Sequence, residues 1–199
     1  MFKKCVGFML ISLLSSGVAF GADKIDESLK GKEKITRNGI NIFLEPNSPN
    51  KQKYLNGEFD KSLEAMKKAY EANKNNKATR ASAPPVTEVQ ILEVVSTKGG
   101  YEYVFGKLIT DQDHEGELFL VSTGVTGYGG NQYDRAKFAG NDAVQLSSEG
   151  IDLTGDNIVD GWLDIWDISQ PANKSGIFEF TSSSINPPSN SMSTSIQIR

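Results

Sequence analysis

VTEVQILEVVS (residues 86–96), KGG (98–100) and YEYVFGKLI (101–109) decide the fold class. The first run is dense in branched side chains, the glycine pair supplies a turn, and the second run alternates aromatic with polar residues. That is the pattern of two strands joined in a hairpin. Working toward the C-terminus, ELFLVSTGV (117–125), GWLDIWDIS (161–169), GIFEFTSS (176–183) and SMSTSIQIR (191–199) read as further strands. In the last of them Met192, Thr194, Ile196 and Ile198 alternate with polar residues, as one buried face requires. Six to seven short strands punctuated by turns predict a mainly β domain, a compact sandwich or small barrel, over residues 86–199.

Toward the N-terminus the composition changes. KNNKATRASAPP (74–85) is small, polar and closed by two prolines, which reads as an exposed linker. Residues 23–84 carry 13 Lys and Arg against 9 Asp and Glu, whereas residues 85–199 carry 6 against 16. A basic N-terminal extension, residues 22–73, is therefore expected before an acidic domain. Within it Phe59, Leu63, Met66 and Tyr70 recur at the spacing of one helix face, and Asn56 or Gly57 can cap a helix near 57–74. The stripe reads as a docking face against the rest of the protein. A second reading makes the extension a removable pro-segment.

Lys3 and Lys4 precede an apolar run that gives way to small residues, so residues 1–21 read as a signal peptide cut after Ala19 or Gly21. The expectation is a secreted or periplasmic protein with no integral membrane segment after cleavage. Cys5 is the only cysteine and lies inside that segment. A mature chain without it has no disulfide, no thiol nucleophile and no cysteine-type zinc site, and a single histidine, His114, excludes paired-histidine sites. The formal charge of −4 falls to −6 without Lys3 and Lys4, and acidity argues against nucleic acid as partner.

DLTGDNIVDGWLDIWD (152–167) holds five aspartates. Read from Asp152, it places Asp152, Thr154 and Asp156 at the first, third and fifth positions of a calcium loop, with Asn157 at the sharp turn, the Ile158 carbonyl next and Asp160 ninth. The twelfth position is Leu163, so Asp164 would have to close the shell. A shortened, strand-flanked Ca2+ loop is one reading; a solvated acidic turn is the other. A carboxylate pair among Asp156, Asp160 and Asp164 would suit glycoside hydrolysis.

If GWLDIWD is a strand, Trp162, Asp164 and Trp166 share a face opposite Leu163 and Ile165. The tryptophans then form either part of the core or a sugar-stacking platform. His114, flanked by Asp113 and Glu115, is a structural histidine or a general base in a Ser-His-Asp arrangement, although no G-x-S-x-G elbow supplies the serine. GVTGYGGNQY (124–133) lacks the Lys-Ser/Thr of a phosphate loop, and its Tyr128 and Tyr133 are candidates for ligand contact.

VQILEVVSTKGGYE, DHEGELFLV, GYG, GDNIVDGWLDIWD and the serine-rich last strand together resemble the YolA-like family of small secreted bacterial proteins, over roughly residues 86–199. DHEGEL (113–118) and NIVDG (157–161) carry most of the likeness. The resemblance implies a secreted bacterial domain and implies no activity and no catalytic residues; residues 23–84 stand outside it. The expectation is an exported, calcium-stabilised, non-enzymatic β domain that binds an extracellular or envelope ligand, carbohydrate or protein, through its glycine-rich and His114 loops. The competing class is a secreted hydrolase using His114 or an aspartate pair, with Asp113 and Asp164 among the candidate catalytic residues.

Overall fold

The computed structural model describes residues 29–74, 85–129, 133–170, 175–184 and 189–199. The expected signal peptide, most of the expected linker and the centre of the glycine-rich loop lie outside the described residues. The chain forms β1 (Glu33–Arg37), β2 (Ile40–Leu44), α1 (Lys51–Asn56), α2 (Asp60–Lys74), β3 (Glu88–Ser96), β4 (Gly100–Tyr103) and β5 (Phe119–Thr126). It continues through β6 (Arg135–Phe138), β7 (Asn141–Asp142), β8 (Val144–Asp152), β9 (Gly161–Asp167), β10 (Gly176–Ser183) and β11 (Ser191–Ile198). One sheet has seven strands in the order β1-β2-β8-β9-β5-β3-β4, the other four in the order β11-β10-β6-β7. All strand pairs are antiparallel, and the two sheets form a sandwich.

Side-chain parity divides the large sheet into two buried faces. Val121 and Val125 of β5 with Trp162 and Trp166 of β9 meet Phe138, Phe178, Phe180 and Ile196 of the small sheet. Leu163 and Ile165, one residue out of step, turn to the opposite face and pack with Leu63 and Met66 of α2. The parity expected for GWLDIWD is therefore the parity found. Both sides of β9 are covered, which is why it has so few exposed positions.

The basic N-terminal region is not an appendage. Ile40, Ile42 and Leu44 are buried, β2 pairs with β8 from Asn41↔Asp152 to Phe43↔Gly150, and Phe59, just before α2, joins Leu63 and Met66 on the buried side of that helix. Tyr70 completes the stripe against the same core. Residues 29–74 thus share a sheet and a core with residues 86–199, and the boundary expected at 74–85 separates no independent core. Gly124 lets α2 close on the sheet: a Cβ there would stand 3.0 Å from Leu92 Cδ1 and 3.1 Å from Met66 Cγ.

Two element boundaries differ from expectation. Instead of one helix from 57, α1 ends at Gly57, whose φ of 79° reverses the chain, and α2 starts at Asp60. Arg37 forms an ion pair with Asp60 at that start and donates to the Leu55 carbonyl, fixing the turn between the helices. The strand expected over 101–109 stops at Tyr103; the chain then leaves the sheet and reaches β11 through the Ile109↔Gln197 bridge. Among the described residues no helix is long and apolar enough to cross a membrane.

Candidate functional site

β3 carries one extra residue between Ile91, which faces Thr123, and Glu93, which faces Ser122. The extra residue is Leu92. Leu92 packs on the helix side of the sheet, and Val94 faces the opposite sheet. The bulge thus lets Glu93 follow Leu92 onto the same face, a re-aiming that a regular strand does not allow. Glu93 is 2 % exposed, and its Oε1 accepts hydrogen bonds from the Ser62 hydroxyl and, at 3.4 Å, from Tyr101 OH. Burial pushes its carboxyl up to about 7, against the opposing pull of Ser62, Tyr101 and Lys53.

This carboxyl lines a cleft of about 240 Å³ between the α1–α2 turn and the outer face of the large sheet. Lys53, Glu58 and Phe59 form the helical wall, and Leu120, Ser122 and Ile165 the sheet wall. Tyr101 and Leu118, each about half exposed, stand at its mouth. A mainly apolar cleft with a few polar groups, one of them a buried carboxyl of shifted pKa, is the usual form of a small-ligand site.

His114 lies elsewhere and has no exposed surface. Ser96 Oγ sits 3.0 Å from its Nδ1, and its Nε2 sits 3.1 Å from Glu102 Oε2. This is a Ser-His-Glu chain, with Glu102 where Asp113 was the sequence candidate. Asp113 is exposed and faces Arg199 at 3.9 Å. Burial alone would raise the Glu102 carboxyl, but the N–H groups of Asp111 and Gln112 with Lys107 and His114 bring it down to about 2. Ser96 Oγ also accepts the Gly99 N–H at 2.8 Å, and any Cβ on Gly99 would stand 2.6 Å from the imidazole Nδ1. Ser96 and Glu102 are buried as well. The chain of bonds ties the 104–114 loop to the end of β3 and offers no exposed nucleophile.

The Asp152 loop is organised from within. Asp152 Oδ1 accepts from Thr154 N at 3.1 Å, Thr154 Oγ1 at 3.2 Å and Gly155 N at 2.6 Å; its Oδ2 accepts from Asn157 N and Asn41 Nδ2, each at 2.7 Å. Asp160 Oδ2 accepts from Leu153 N and Thr154 N at 3.0 and 3.2 Å, and exposed Asp156 accepts only from Ile158 N. Asn157 adopts the left-handed turn expected of it, φ 65°. Ile158, whose carbonyl was the expected ligand, is about half exposed at this turn. Among the described residues no three acidic or imidazole groups converge as a metal cluster.

A family model described as a domain of unknown function, DUF4879, matches residues 78–198. The chain belongs to that family. No curated protein matches it significantly, and no solved structure does. The DUF4879 segment supplies the sheet wall of the Glu93 cleft, while Lys53, Glu58 and Phe59 come from outside it.

Within the DUF4879 segment, the remaining candidates are dispersed. Trp162 and Trp166, 5 % and 3 % exposed, are core side chains between the sheets, so neither offers a surface for sugar stacking; Trp166 Nε1 donates to Thr123 Oγ1 at 2.9 Å. Asp164 lies between them with no exposed surface and does not close the Asp152 loop: Gln145 Nε2 donates to it at 3.1 Å, and Asp134 is its acidic neighbour. Burial and Asp134 push its carboxyl well above the usual range. Tyr128 is half-buried and Tyr133 exposed. His114 stacks near Phe119, Asp164 pairs with Thr123, and Gly127 follows Thr126, so the three expected site elements are strung along β5 over roughly 25 Å. They do not share a cleft.

Sequence reasoning missed Glu93, Ser62 and Tyr101. An acid inside the apolar run 86–96 was the available signal, but a single bulge decided which face received it.

Proposed function

We propose that the chain is an exported, non-enzymatic β-sandwich domain whose extracellular or envelope ligand seats at Glu93, between the α1–α2 turn and the large sheet. One observation carries this reading: Phe59, Leu118, Leu120 and Ile165 give the cleft a largely apolar lining around one buried carboxyl whose pKa lies near 7, with Lys53 and Glu58 also on its wall. The chemistry selects a small ligand with an apolar body and an amine or hydroxyl head that donates to Glu93. Export is supported by the pattern of residues 1–21 and by the resemblance to YolA-like secreted proteins. The hydrolase reading lacks support, because Ser96, His114 and Glu102 are all buried. The pro-segment reading is disfavoured because Phe59 and Lys53 form one wall of the cleft.

Fluorescence titration with 1-naphthylmethylamine, an aromatic body carrying an amine, tests the site. Binding should saturate, and it should strengthen as pH rises through about 7 because Glu93 then ionises while the amine stays charged. Glu93→Gln should weaken it by about tenfold, the worth of a charge-assisted hydrogen bond, and Tyr133→Ala should leave it unchanged. Absence of saturable binding, or equal affinity in Glu93→Gln, refutes the assignment.

A further inference from the structure

The interior between the sheets contains a patch of carboxylates and hydroxyls. Asp134 leads into β6 and Ser182 lies near the end of β10, both on the small sheet; Asp164 of β9 and Ser148 of β8 face them from the large one. Asp164 and Ser182 have no exposed surface and Asp134 is 2 % exposed. The four side chains are close enough to feel one another's charge and hydroxyl dipoles. Yet Asp134 Oδ1 and Oδ2, Asp164 Oδ2, Ser148 Oγ and Ser182 Oγ complete no hydrogen bond.

Five buried oxygens drawn from both sheets are thus gathered in one place. With both acids ionised, two hydroxyl protons are too few for three carboxylate oxygens, and a buried carboxylate pair without a counter-charge is costly. Arg135, exposed beside Asp134, directs Nη1 to the Asp134 carbonyl at 2.6 Å, and its charge offsets the burial of the Asp134 carboxyl only in part. The loop after β5 closes against the patch, since a Cβ on Gly129 would stand 2.5 Å from Ser182 Oγ. The donor set holds oxygen alone, the preference of a hard cation, and magnesium, which keeps several waters and demands octahedral geometry, suits a closed interior less well than calcium.

We propose that Asp134, Asp164, Ser148 and Ser182 hold a calcium ion that pins the four-stranded sheet to the seven-stranded one. The site is separate from the loop 152–160 and independent of the Glu93 reading. Two charged ligands place its affinity in the range of extracellular modules, roughly 10⁻⁴ to 10⁻³ M.

Terbium, a luminescent stand-in for calcium, gives a direct readout because Trp162 and Trp166 flank Asp164 and can sensitise it. Excitation of tryptophan in the full chain should yield terbium emission that calcium displaces and equal magnesium does not. About 10 mM calcium should raise the unfolding temperature over chelator by roughly 3–10 °C. Asp134→Asn and Asp164→Asn should each weaken calcium by roughly tenfold or more, while Asp156→Asn keeps both signals. If neither aspartate variant folds, Ser182→Ala, which removes one oxygen without changing charge, must weaken calcium measurably. No sensitised emission with no thermal shift overturns the proposal; so does calcium binding that survives all of these interior variants, or binding lost in Asp156→Asn, which would place the ion in the 152–160 loop.

Discussion

At Glu93 a carboxyl with an ordinary value of 4.5 is raised to about 7 by burial. A group raised in the folded state adds stability below its unfolded pKa and loses that contribution as pH rises through the folded one. Chain stability measured by urea unfolding should therefore fall between about pH 4.5 and 7 by up to about 3 kcal/mol from this residue. The difference curve between wild type and Glu93→Gln isolates it; a flat difference across that window refutes the assigned pKa. Asp152 gives a second contrast at this scale. Its carboxylate receives five hydrogen bonds whereas Asp156 receives one, from Ile158 N. Asp152→Ala leaves buried donors unserved and should cost roughly 2–4 kcal/mol, and Asp156→Ala within about 0.5 kcal/mol. Equal costs would mean that the loop is not held by Asp152.

Among the elements, α2 shows most clearly how a periodic stripe becomes a docked helix. Met66 is fully buried and rests against Gly124 and Gly161, where the absence of a Cβ leaves room for its thioether. Met66→Ala should destabilise by roughly 2–5 kcal/mol in thermal or urea unfolding, whereas Lys68→Ala on the exposed side should leave the unfolding midpoint essentially unchanged. Similar effects from both would contradict the packing described. The stripe Phe59, Leu63, Met66 and Tyr70 was legible because helix periodicity is a local property. The start of the helix was not, because Gly57 fits a cap before one helix and a left-handed stop after another equally well.

For the whole molecule, the N-terminal region and the DUF4879 segment share one core. A chain beginning at residue 78 would lose β1, β2, α1 and α2 and uncover Leu92, Ile151, Leu163 and Ile165. Such a truncation should be aggregation-prone, with exposed apolar surface detectable by dye binding, and a cooperative, soluble fragment would contradict this account. Local patterns in the sequence by themselves determined the mainly β class and the side of β9 on which Trp162, Asp164 and Trp166 stand, through strand alternation, the apolar face of α2, through helix periodicity, and the left-handed turn at Asn157, through residue type. Each of these follows from the chain's own short-range geometry. Only the tertiary structure decided which partners meet: Glu93 with Ser62 through a one-residue bulge, His114 with Glu102 in place of Asp113, Asp164 with Asp134 in place of the Asp152 loop. Those contacts depend on how distant strands align, and a shift of one residue exchanges the two faces of a strand, so no local pattern specifies them.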